Sequence, residues 1–426
     1  MRTEIKIDGA DATGANYITW APVHSSIRVV EADGGVNPVD VVLRNRNPAE
    51  GGQIVFRDVI PGAEQDTLRL SLPADGTPVD FFIAGKPGRP SVDDKDAVIE
   101  AVGANTEAEP STAALMVRVR KNANNLTDAE RDRFLSAFAI LNDHGRGKFR
   151  DFRDMHTEAS SDEAHFRPGF LPWHRAYLLD LERELQQIDP SVALPYWKFD
   201  EPAPNLFSRE FVGVPNGLGR VQFEPGNPLE SWTTDGVAGI ERFPLFNTNT
   251  SPAGLPTGQT VSNETDTLGL GNVYADFVRM ERNPHGRAHV SFTGFIQDIH
   301  TAARDPLFFL LHTNVDRLWT KWQWLLGRFD TTDPAAYPLL GSAGTAGADR
   351  VGHNRDDFMW PWEGDEDPPR PPTAPGGKFP ASPTEKAPGP TPTVGDMIDY
   401  RGLIDPGSRL GFDYDDLPSL QVENRG

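Results

Sequence analysis

Short apolar runs recur about every ten positions through the first hundred residues. Positions 39–43, 54–56, 68–72, 79–83 and 97–99 alternate or run apolar, and Gly, Pro and Asp punctuate them, as in Ala74-Asp75-Gly76. Period-two patterning with turn residues between the runs predicts β-strands. The rhythm predicts an immunoglobulin-like β-sandwich over residues 1–105, in which no motif carries chemistry.

The pattern changes near residue 117. Thr127 and Glu130 form an N-cap and N3 acid of the capping-box kind, and Phe134, Ala137, Phe138 and Leu141 follow at helical spacing. A second helix is predicted over 173–187, with Tyr177, Leu178, Leu181 and Leu185 on one face. A third is predicted over 273–280. A fourth opens at Asp305-Pro306, cap then first-turn proline, and runs to 326. Four such helices predict a mainly α four-helix-bundle core over residues 117–417, a usual setting for a metal site. Eleven of the 35 residues from 361 to 395 are proline. This composition predicts an extended, exposed excursion over 361–393.

Composition narrows the function. The chain has 426 residues, 62 acidic and 41 basic, for a formal charge of −21. That charge repels phosphate backbones, so nucleic acid is not an expected partner. No apolar run is long enough to span a bilayer, and no apolar N-terminal stretch follows a basic one; a cytoplasmic location is the expectation. With no Cys there are no disulfides and no thiolate chemistry, so any metal binds through His, Asp or Glu.

Two groups stand out among the ten histidines. His156, His165 and His174 are spaced nine apart. His285 and His289 stand at i and i+4, and His312 follows on the fourth predicted helix. An i, i+4 pair on one helical face can chelate one ion. Imidazole suits Cu, Zn, Fe and Ni. Two neutral three-His sites without a carboxylate favour copper, because they can hold both Cu(I) and Cu(II).

The residues around these histidines carry a family resemblance. The segment from His165 through Phe170, Trp173, His174 and Arg175 to Leu178, with Glu182, resembles the first copper-binding signature of tyrosinases. The segment from Asp305 through Phe308, His312, Asp316 and Arg317 to Trp319 resembles the second. Leu194-Pro195-Tyr196-Trp197 is similar to the stretch that follows the first site. The family comprises tyrosinases, catechol oxidases and haemocyanins, the type-3 copper proteins, and the resemblance covers roughly residues 117–417. It implies two copper ions, one on His156, His165 and His174 and one on His285, His289 and His312. His144, beside Gly145 and Gly147, competes with His156 as the first ligand. Glu281 falls where plant-type members carry a water-orienting Glu, and is the implied catalytic base. Asp316 and Arg317 are implied to steady the ligand helices, and Asp305 to cap one. Gly411-Phe412-Asp413-Tyr414 is similar to the motif that closes the catalytic core, with Arg120 as its partner.

The implied activity is oxidation of o-diphenols or o-aminophenols by O2 to o-quinone-type products, with weak monophenol hydroxylation at most. Expected partners are a small phenolic substrate, O2 and a copper-delivery protein. A reversible haemocyanin-like O2 carrier is the alternative. Members that hydroxylate monophenols often carry Asn directly after the first His of the second site, where this chain has Gly286. Lys198 stands where Asp is common, and Leu311 where a further His is common.

Overall fold

The computed structural model describes residues 2–8, 17–31, 37–104, 109–338, 353–362, 379–382 and 384–417. The chain divides into two units, residues 1–120 with 411–426, and residues 121–410.

The first unit is built from β1 (Arg2–Ile7), β2 (Tyr17–Ile18), β3 (Val23–Glu31), β4 (Val39–Asn45), β5 (Ile54–Arg57), β6 (Thr67–Leu72), β7 (Val79–Gly85), β8 (Ala97–Gly103) and β9 (Ser111–Val117). One sheet runs β1-β3-β7-β5 and the other β2-β9-β8-β4-β6; β2 and β9 are parallel. All five predicted runs lie in strands, β4 to β8. The alternation works as expected in β4, which buries Val41 and Leu43 and turns Asp40 outward. Strand β3, which lies outside those five runs, alternates too, burying Val23, Ser25, Ile27 and Val29. Gly85 sits where a Cβ would come within 2.4 Å of Val117 and 2.8 Å of the Trp20 ring, so only glycine fits.

The β unit extends past residue 105. Ser111–Val117 is a strand because it pairs antiparallel with β8, Ala97 opposite Leu115. Arg120 joins the same unit. Its Nη1 donates to Tyr414 Oη at 2.9 Å, and its guanidinium lies 4.0 Å from the Phe412 ring centroid. The expected Arg120–Tyr414 pairing is thus present, but it belongs to the β unit rather than to the helical one.

The second unit contains α1 (Asp128–Asn142), α2 (Phe149–Met155), α3 (Phe170–Ile188) and α4 (Leu307–Leu326). The Thr127–Glu130 capping box is formed and starts α1. Helix α3 packs against α1 and α4. Between them Phe138, Phe149 and Phe309 form an aromatic cluster, with Phe149 and Phe309 centroids 5.7 Å apart. Side chains of this size bury enough apolar area to dominate the stability of the packing.

The third predicted helix, 273–280, is realised as an α turn, Tyr274–Phe277, continued by a 3-10 turn to Glu281. Beyond it the backbone is irregular over Arg282–Gly286, where Pro284 disfavours helical geometry in its predecessor and Asn283 has φ −154° and ψ 118°; a last turn, Arg287–His289, follows. Among the described residues the core has three long helices, and its fourth member is built of short turns. The expectation for 361–393 is corrected: the Pro-rich stretch is not wholly exposed. Residues 363–378 and 383, including the prolines at 368–372, lie outside the described residues. Phe379, however, is buried against Trp362, and the carbonyls of Pro380 and Ala387 accept from Arg183.

Candidate metal centre

Six buried histidines converge at the centre of the helical unit. His156 ends α2 as its C-cap, and His165 follows a short turn in extended conformation. His174 stands on the second turn of α3, and His312 in the first half of α4. His285 and His289 flank the single regular turn that follows Pro284, so the i, i+4 pairing survives although the helix before it does not. Each triad brings three ring nitrogens within 4.8 Å of one another. The two triads adjoin: the His174 and His312 rings stack 10° from parallel, centroids 4.1 Å apart. His144 is exposed on a left-handed turn, φ 54°, and His156 occupies the first position of the site.

The backbone fixes how each ring points. His174 Nδ1 donates to Phe170 O at 2.8 Å, His285 Nδ1 to Glu281 O at 2.8 Å and His289 Nδ1 to Ile296 O at 2.7 Å. This holds each Nε2 as the bare lone pair that a metal requires. The Nε2 atoms of the site lie close together. His289 Nε2 lies 3.1 Å and His285 Nε2 3.3 Å from His312 Nε2; His165 Nε2 lies 2.9 Å from His156 Nε2. His174 Nε2 is buried with no hydrogen-bond partner among the described residues.

Protonation does not relieve this crowding. Burial, helped by repulsion from neighbouring imidazoles, pushes His156, His174, His285 and His312 well below the usual imidazole range. Burial pushes His165 down to about 3 and His289 to about 4. Buried neutral imidazoles whose ring nitrogens converge in two groups of three suit bound cations, so the donor set fits two metal ions, each held by three imidazoles. A nitrogen-only set without thiolate suits copper in both oxidation states.

Surrounding side chains lock the frame. Phe308 lies against His312 and His156, with centroids 4.2 and 4.7 Å away. Buried Arg175, next to His174, reaches from α3 to α4. Its Nε donates to Asp316 Oδ1 at 2.6 Å, and its other nitrogens reach Gln323, Thr320 and the Met397 carbonyl. Arg317 donates to Glu264 at 2.6 Å. Asp305 accepts from Leu307 N at 2.9 Å, the expected cap, and also pairs with buried Arg242 at 2.8 Å. Lys198 pairs with Glu201. Leu311 is buried.

Glu281 is brought to the first triad. Its Oε1 accepts from Phe166 N at 2.8 Å and lies 3.3 Å from His165 Nδ1. Burial raises its carboxyl to about 7, against the Phe166 N–H, which favours the anion. A cavity of about 900 Å³ opens onto both triads. It reaches His156 and His165 of one and His285 and His289 of the other, with Glu281 and Gly286 in its wall. Sequence reasoning missed Phe166, Arg167 and Arg282 at this cavity. Their adjacency to His165 and Glu281 was the available signal.

Residues 146–325 match the family model described as the common central domain of tyrosinase. A tyrosinase of Streptomyces glaucescens is 35% identical over 230 residues, covering 48% of this chain and 82% of its own. The chain belongs to the tyrosinase family. Grixazone synthase of Streptomyces griseus is 32% identical over 264 residues, covering 49% of this chain and 85% of its own. Among solved structures, deoxygenated hemocyanin from Rapana thomasiana aligns with a TM-score of 0.46 at 20% identity, over 71% of this chain and 70% of that one. As a tyrosinase-family type-3 copper protein, the chain carries two buried triads that fit a dicopper centre.

Proposed function

We propose that this chain is a copper oxidase that uses O2 to convert o-diphenols or o-aminophenols to o-quinone-type products. The observation that carries this is the 900 Å³ cavity reaching ligands of both triads. An aromatic ring needs a chamber of this kind, and O2 alone does not. Each O2 takes four electrons and four protons from two diphenols, giving two o-quinones and two waters. Two copper ions, if held by His156, His165 and His174 and by His285, His289 and His312, would supply the redox and Lewis-acid chemistry.

The protein's own part is positional. The backbone carbonyls at Phe170, Glu281 and Ile296 set the ring orientations. Glu281 Oε2 makes no hydrogen bond among the described residues and is placed to take a substrate hydroxyl proton. Its carboxyl, raised to about 7, is poised for proton exchange near neutral pH. Gly286 leaves the wall beside Glu281 bare, which favours diphenol oxidation over monophenol hydroxylation. Trapping the quinone from a catechol with an aromatic hydrazone reagent, at one O2 per two products, tests the reading. Reversible O2 uptake without trapped product would overturn it in favour of a carrier.

A further inference from the structure

A tight turn in the helical unit carries a carboxylate that no motif announces. Thr233–Thr234 pairs antiparallel with Val237–Ala238, so Asp235-Gly236 forms the turn between them. Both turn residues have positive φ, 51° and 77°, as a two-residue hairpin loop demands and as Asp and Gly tolerate. The hairpin is fixed at its base. The Trp232 ring packs on Phe149, centroids 5.1 Å apart, and Thr233 Oγ1 donates to the His144 carbonyl at 2.5 Å.

From this turn Asp235 reaches two arginines. Its Oδ1 lies 3.0 Å from Arg153 Nη1, and its Oδ2 lies 3.2 Å from Arg304 Nη1. Arg153 is buried on α2, three residues before His156, which caps that helix. Its Nε is buried with no hydrogen-bond partner among the described residues, so Asp235 is the group that meets its charge there. Arg304 ends the turn Ala302–Arg304, directly before Asp305 and α4. Its guanidinium lies 5.7 Å from the Phe295 ring centroid, and Thr301 Oγ1 donates to the Phe295 carbonyl at 2.9 Å. The next residue, Ile296, supplies the carbonyl that orients His289. One carboxylate therefore joins the helix that presents a ligand of the first triad to the segment that orients a ligand of the second.

We infer that Asp235 is a positioning residue of the metal centre: through Arg153 and Arg304 it holds His156 in place relative to His289, and so tightens metal binding across the two triads. This rests on the two-metal fit of the triads and not on the oxidase reading. Helix α2 has seven residues, too few to be stable alone, so contacts outside it must place the ligand at its end. The Arg153 end of the bridge is buried, where an ion pair is screened less than at the surface and its loss leaves a charge uncompensated. Contacts that orient ligands from outside the metal's own donor set raise its affinity.

The test measures metal retention by the copper-loaded full chain. Copper per chain is followed against rising EDTA, and the melting temperature of the copper-free chain is read alongside. Asp235→Asn keeps a residue suited to the turn and removes the charge. It should lower the EDTA concentration that strips half the copper roughly fivefold. Arg304→Gln cuts the same bridge on its other side and should do likewise. The double variant should lose no more than either alone, because the bridge is already cut. Asp128→Asn, which loosens an exposed ion pair with Arg131 on α1, should leave retention unchanged. Retention unmoved in Asp235→Asn, with or without a lowered melting temperature, or losses that add in the double variant, would overturn the inference. Failure of the unaltered chain to hold copper would overturn it as well. Bound copper without diphenol turnover would defeat the oxidase reading alone, and the shift in retention would still uphold the role of Asp235.

Discussion

Oε1 of Glu281 lies 3.3 Å from Nδ1 of His165. The same oxygen accepts the Phe166 N–H, so one carboxyl holds both a metal-binding imidazole and the chain segment that follows it. Replacing it separates two roles. Glu281→Gln keeps an acceptor for Phe166 and loses the base; kcat for catechol should fall about 100-fold or more with copper content unchanged. Glu281→Ala also frees His165 and should lower copper content. Full kcat in the Gln variant would show that Glu281 moves no proton in turnover.

The assignment of the first ligand has a direct check. His156→Ala should reduce bound copper from two per chain to about one, while His144→Ala, on an exposed turn, should bind two. Elemental analysis of the purified variants decides it. Retention of both coppers by His156→Ala would return the choice to His144.

Gly286 is helical, at φ −58°, and a Cβ there would meet only the Glu281 carbonyl at 3.2 Å. An asparagine therefore fits with a shift of a few tenths of an ångström. Gly286→Asn should raise the ratio of monophenol to diphenol turnover severalfold. An unchanged ratio would remove Gly286 from the account of selectivity.

Asp180 is buried on α3 and accepts from Trp362 Nε1 at 2.7 Å. Burial raises its carboxyl to about 7 from an ordinary 3.8, against the Trp362 hydrogen bond, which lowers it. Its folded pKa is above its unfolded one, so the folded state binds the extra proton between those values. This group's contribution therefore favours folding at low pH and diminishes as pH rises from about 4 to about 7. Asp180→Asn keeps an acceptor for Trp362 and removes the charge. At pH 7.5 it should be more stable than the unaltered chain by roughly 1–3 kcal/mol, with the gain vanishing near pH 4. Thermal melts of both proteins across this range check the sign; a gain that grows toward acid would contradict it.

The Arg175–Asp316 pair joins α3 to α4 from full burial. Asp316→Asn leaves the guanidinium without its compensating charge and should cost about 3 kcal/mol, read as a lowered melting temperature. A variant within about 0.5 kcal/mol of the parent would show that the Gln323, Thr320 and Met397 contacts hold Arg175 by themselves.

Local signals carried much of this structure in the sequence. The Thr127 cap, the alternation in β4 and the histidine spacings each act over a few residues, and each is realised. The Arg120–Tyr414 contact, between residues far apart in the chain, was legible only through its family motif. The failures have local causes as well. Apolar spacing over 273–280 promised a helix, which Tyr274–Glu281 supplies, but it did not announce the irregular backbone beyond, where Pro284 leaves Asn283 extended on the path to His285. The β unit outran residue 105 because β9 gains its identity from pairing with β8, a partner that its own pattern does not announce. Phe379 lies in a segment whose prolines suggested exposure, yet it covers Trp362.

The most direct measurement of the central claim is oxygen consumption by the copper-loaded chain with a matched catechol, o-aminophenol and monophenol. Sustained uptake is expected with catechol or o-aminophenol, little with the monophenol, and uptake should be lost when copper is chelated. Two bound coppers with no sustained uptake on any of the three would contradict it.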